Sequence, residues 1–125
     1  MTVFEPENSL EVVRGSSMTL ELAVADEKGC PIRLDNVVIY FTAKQNFDEI
    51  QPIFQKISTD PTQIEVIDEY AGIARIYLMP ADTINLELRD YIFDVWLVFN
   101  STGKRYPIVG PATFTLMPSV TVLSL

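Results

Sequence analysis

The sequence predicts an all-β domain, an antiparallel sandwich of about seven to nine short strands, and three observations carry the prediction. More than a quarter of the 125 residues are Val, Ile or Thr, branched side chains that pack well on a pleated sheet and lose rotamer freedom in a helix. Apolar residues recur with a period of two in several segments, and turn-forming clusters separate those segments about every 8–12 residues. No long stretch carries the 3.6-residue period of an amphipathic helix.

The strands follow in order. Met18, Leu20, Leu22 and Val24 alternate with Thr19, Glu21, Ala23 and Ala25, the pattern of a strand with one buried face. Asp26-Glu-Lys-Gly29 closes it with turn chemistry, the glycine supplying a positive φ. After an extended piece from Pro31 to Leu34, a second strand places Val37, Ile39, Phe41 and Ala43 on one face and Val38, Tyr40, Thr42 and Lys44 on the other. The polar stretch from Gln45 to Gln51 reads as a loop into a strand around Ile53 to Ser58, and Thr59 to Thr62 turns the chain again. Gln63 to Ile67 and Ile73 to Leu78 form a hairpin around Asp68 to Gly72, with Ala74, Ile76 and Leu78 on the core face.

Pro80-Ala-Asp-Thr83 suits one helical turn, too short to stand alone, at a crossing between sheets. Tyr91, Phe93, Val95, Leu97 and Phe99 then alternate with Ile92, Asp94, Trp96, Val98 and Asn100. Ser101 to Lys104 turns into a strand from Arg105 to Val109, Gly110-Pro111 interrupts it as a bulge or kink would, and Thr113 to Leu116 continues it. Pro118 ends that strand, and Val120 to Leu125 is expected to make a final short one.

The chain has the length of one domain, 1–125, since single cores run to about 100–150 residues. It contains no histidine, which removes Ser-His-Asp and Cys-His mechanisms and the usual His/Cys zinc sites. A formal charge of −8 repels phosphate backbones, so nucleic acid is not an expected partner. The acids are scattered, as on a solubilising surface. The single cysteine, Cys30, can form no intrachain disulfide; with no histidine to lower its pKa it is read as inert. No apolar run has the length of a membrane span, and the first residues lack the basic and apolar regions of a secretory signal, so synthesis in the cytoplasm and no membrane partner are expected.

The succession of pieces resembles a known family. Arg14-Gly-Ser precedes the first strong strand, and Asp26-Glu-Lys-Gly and Pro31-Ile-Arg-Leu-Asp-Asn precede the alternating Val37 to Lys44. Gly72-Ile-Ala-Arg-Ile-Tyr-Leu, Pro80-Ala-Asp-Thr, Tyr91-Ile-Phe-Asp-Val and Gly110-Pro-Ala-Thr-Phe follow. From about Leu10 to Leu116 this is similar to the immunoglobulin-like β-sandwich of tailed-phage virion proteins, notably the N-terminal domain of the baseplate upper protein family. The resemblance implies a virion structural or assembly role in tail, baseplate or capsid, without catalytic residues or cofactors, in which the domain docks onto other virion proteins.

Candidate functional residues come from strands that are apolar on both sides. With the odd positions of Tyr91 to Phe99 in the core, Ile92, Trp96 and Val98 point outward, as do Val38 and Tyr40 on their strand. Trp and Tyr among aliphatics mark an interface centre, unless loops or chain ends of the same domain cover them. The uncharged tail with Val120, Val122 and Leu123 reads as an edge strand that pairs either within the domain or with a second copy. A homo-oligomer is therefore expected.

A carbohydrate- or cell-surface-binding sandwich is the alternative, with Trp96, Tyr40, Tyr77 and Tyr106 as sugar platforms. Loop carboxylates (Asp26, Glu27, Asp68, Glu69, Asp82) have no calcium-loop spacing, and Asp90 with Asp94 lacks the cleft a glycosidase pair needs, so neither a metal site nor an enzyme is expected.

Overall fold

A computed structural model describes residues 2–3 and 10–121 of the chain. In order along the chain these form β1 (Thr2–Val3), β2 (Leu10–Val13), β3 (Met18–Ala23), β4 (Val37–Lys44) and β5 (Phe54–Ile57). Next come β6 (Ile64–Asp68), β7 (Ile73–Leu78), α1 (Pro80–Thr83), β8 (Asp90–Phe99) and β9 (Arg105–Met117). One sheet has the order β1-β3-β7-β6 and the other β2-β9-β8-β4-β5. Neighbours are antiparallel except β1 beside β3 and β2 beside β9, which run parallel. The neighbour sets β3-β7-β6 and β9-β8-β4 reproduce the two sheets of an immunoglobulin-type sandwich.

Alternation dictates which side of each strand is buried. Leu20, Leu22 and Val24 enter the core from β3 and its end, Val37, Ile39, Phe41 and Ala43 from β4, Ala74, Ile76 and Leu78 from β7, and Tyr91, Phe93, Val95 and Leu97 from β8. Aromatic rings from the larger sheet stack within that core: Phe41 lies 5.3 Å from Phe93 and 5.9 Å from Phe54 between ring centroids, and Tyr91 lies 5.1 Å from Phe114. Offset aromatic contacts of this kind add to the area they bury. They join β5, β4, β8 and β9 on the inner side of the panel whose outer side carries the candidate residues.

Local devices set the register. Gly72 has φ +71°, and a Cβ there would sit 2.6 Å from the Val24 carbonyl oxygen and 2.8 Å from that of Ile32; only glycine fits so close to two backbone oxygens. The Gly110-Pro111 interruption is a bulge: β9 stays continuous, but its pairing with β8 slips between Phe93 and Val95. The Tyr91 hydroxyl, at the start of β8, donates a 2.7 Å hydrogen bond back to the Glu87 carbonyl, the corner tyrosine of immunoglobulin-type sandwiches. The turn between β2 and β3 is tied to α1, where the Gly15 amide donates to the buried Thr83 hydroxyl at 2.9 Å.

The structure departs from the sequence expectations at both ends. Strand β2 is additional: its four residues are too few for a periodicity signal, and it forms by parallel pairing with Phe114–Met117. The expected final strand does not begin at Val120, which sits in a bend and is fully exposed. Pro118 has removed a ladder donor just before it. Val122 and Leu123 lie outside the described residues.

Candidate functional site

The outward residues of β4 and β8 meet on one panel because the two strands pair without slippage from Val37–Phe99 to Lys44–Ile92. Tyr40 stands opposite Trp96, and Val38 opposite Val98. Five of the expected interface residues, Val38, Tyr40, Ile92, Trp96 and Val98, thus share the outer face of the larger sheet, and each is partly exposed. On β5, Ile57 flanks Tyr40 and Gln55 flanks Thr42. Trp96 is half-buried among the described residues.

Polar groups fix this surface. The Trp96 indole N–H donates to Asp94 Oδ2 at 2.9 Å, holding the ring along the strand. The Gln55 amide donates to Thr42 Oγ1 at 2.9 Å, so the neighbouring row is a cross-strand polar pair. The panel is the floor of a concavity of about 620 Å³, bounded by Phe47 from the β4–β5 loop and by Arg105 and Pro111 from β9. Phe47 is 71% exposed, a large apolar ring held beside an apolar floor. Sequence reasoning missed it inside a polar loop, where its only signal was being an aromatic among Gln, Asn, Asp and Glu.

The other outer face is different in kind. On β3, β7 and β6, Glu21 and Glu65 stand on either side of Arg75, and the Tyr77 hydroxyl donates to Glu65 at 2.6 Å. That bond to a carboxylate raises the Tyr77 pKa. Tyr77 is therefore on the opposite side of the molecule from Trp96. Tyr106 packs edge-on against Phe99, 5.8 Å between centroids, and lines a separate concavity of about 680 Å³ between the sheets with Leu22, Val24 and Ile108. Of the four aromatics considered as sugar platforms, the fold brings together only Tyr40 and Trp96.

Two of the loop carboxylates serve local turns. Asp26 Oδ1 accepts the amides of Lys28 and Cys30, and Asp68 Oδ1 those of Tyr70 and Ala71. Among the described residues no three potential metal ligands converge. Asp90 and Asp94 lie four residues apart on β8; Asp90 Oδ1 accepts the Thr115 hydroxyl at 2.7 Å and Asp94 Oδ2 the Trp96 indole N–H. Neither a family model nor a curated protein matches the chain in sequence.

Proposed function

We propose that the chain is a non-enzymatic structural or assembly module of a phage or prophage virion, associated with tail, baseplate or capsid, that acts through protein–protein contacts. The observation that carries the docking reading is the pairing of Tyr40 with Trp96 on the outer face of the larger sheet, with Val38, Val98 and Ile92 around them. Such a cluster of amphipathic aromatics among aliphatics is what interface centres are made of. The likeness of the turn and strand succession to baseplate upper proteins supports the virion setting, with other virion proteins and further copies of this chain as partners. Synthesis would be in the bacterial host cytoplasm.

Light scattering on the purified chain over rising concentration tests the reading. A symmetric oligomer, or a defined complex with a purified virion protein of the same phage, is expected, and Trp96→Glu should abolish it while circular dichroism keeps the β signature. A monomer at every concentration that binds none of those proteins would refute docking. A monomer that shifts on glycan addition would favour the carbohydrate-binding alternative instead.

A further inference from the structure

The lining of the outer concavity is unlike the rest of the chain in charge. The protein carries −8, yet the charged groups here are Lys44, Arg105 and Asp94. Asp94 already accepts the indole N–H through one oxygen, whereas Lys44 and Arg105 join neither of the two salt bridges found among the described residues. The fold places these cations at opposite corners. Lys44 is level with Ile92 and Arg105 with Val98, six residues apart along β8, or about 20 Å. Between them run Tyr40, Trp96 and the aliphatic floor.

We infer that this face receives an extended acidic segment of a partner protein, lying along β8 with a carboxylate near each end and apolar side chains over Tyr40 and Trp96. The inference rests on the docking reading above and adds the chemistry of the partner. Charge complementarity selects it: a cationic or neutral segment would leave Lys44 and Arg105 facing like charge or no partner, while carboxylates six residues apart on an extended chain match their separation. The surrounding negative charge of the protein opposes indiscriminate capture of acids, so the match must be local.

Trp96 is the single tryptophan of the chain, so its emission reports on this face alone. The experiment titrates the full chain with three capped peptides, Glu-Thr-Val-Ser-Val-Thr-Glu and its counterparts ending in Gln or Lys at both ends. Saturable change in Trp96 emission is expected for the Glu peptide, weakened about tenfold for the Gln peptide and absent for the Lys peptide, with affinity falling as salt rises. Lys44→Glu and Arg105→Glu should each weaken the Glu peptide by about tenfold, with unchanged circular dichroism. Equal binding of the Glu and Gln peptides, or indifference to both charge reversals, overturns the acidic partner and leaves the docking face standing. Failure of all three peptides to saturate by about 1 mM also overturns it, and light scattering with Trp96→Glu then decides separately whether the face docks at all. Tighter binding of polygalacturonate than of the Glu peptide would overturn a protein partner in favour of an acidic glycan.

Discussion

Lys56 Nζ lies 2.7 Å from Asp82 Oδ2, with only 8% of the lysine side chain and 16% of the aspartate accessible. The lysine projects from the core face of β5, opposite Phe41, and the same carboxylate oxygen accepts the Met79 amide at 2.7 Å at the start of α1. One ion pair therefore fastens an edge strand of the larger sheet to the crossing that links β7 with β8. Its two halves differ: Asp82 has a backbone donor besides Lys56, whereas the lysine ammonium makes no second salt bridge among the described residues.

Asp82→Ala should cost about 3 kcal/mol, because it strands a buried ammonium and uncaps α1. Lys56→Met should cost about 1 kcal/mol, since Asp82 keeps its amide bond and some water contact while the methionine stem fills the same path. Urea denaturation of both variants and of the double variant measures the pair; equal single-variant losses would contradict this asymmetry.

Gly72→Ala and Gly103→Ala share a φ of +71°, so the pair separates steric crowding from backbone preference. At Gly103 nothing lies within 4 Å of the added methyl, and about 1 kcal/mol is expected for the left-handed conformation alone. At Gly72 the clash with the Val24 and Ile32 carbonyls should raise the loss to about 3 kcal/mol or more. Thermal melting of the two variants checks the order.

Burial pushes the Tyr91 hydroxyl pKa upward, with the nearby Arg89 opposing it. A tyrosine whose folded pKa exceeds its unfolded value contributes stability that is complete below the unfolded value and lost above it, as the unfolded chain sheds a proton the folded one retains. The urea midpoint should therefore begin to fall above about pH 10. Tyr91→Phe should be about 1 kcal/mol less stable near neutrality, from loss of the bond to Glu87, and its midpoint should fall less steeply in alkali. Parallel slopes for both proteins would remove Tyr91 as a source of the alkaline loss.

Asp94→Ala releases the indole N–H of Trp96 to solvent and should lower stability by about 1 kcal/mol. The ring then gains rotamer freedom, so acrylamide should quench its emission more readily than in the parent. Unchanged quenching would mean that the strand itself, not the carboxylate, orients the ring.

Much of the candidate face was legible because alternation is a local property. Once Tyr91 and Phe93 are placed inward, Ile92, Trp96 and Val98 have only the other side to occupy. Their meeting with Val38 and Tyr40 required the register between β4 and β8, which no local pattern states. Lys56 was illegible for the opposite reason: a lysine within a short strand reads as solvent-facing, and only the presence of Asp82 across the loop makes its burial tolerable. Strand β2 escaped notice because four residues are too few to show a period and gain their strand character from β9, about a hundred residues away in sequence.

By itself the sequence determined the two-sheet class, most strand positions, the helical turn at Pro80 and an interruption at Gly110, since these follow from side-chain period and backbone freedom over a few residues. The tertiary structure alone decided which aromatics share a surface, which cations flank it and which lysine is buried. Those relations join distant segments, and they are settled by pairing register and mutual burial, quantities that no short window of sequence contains.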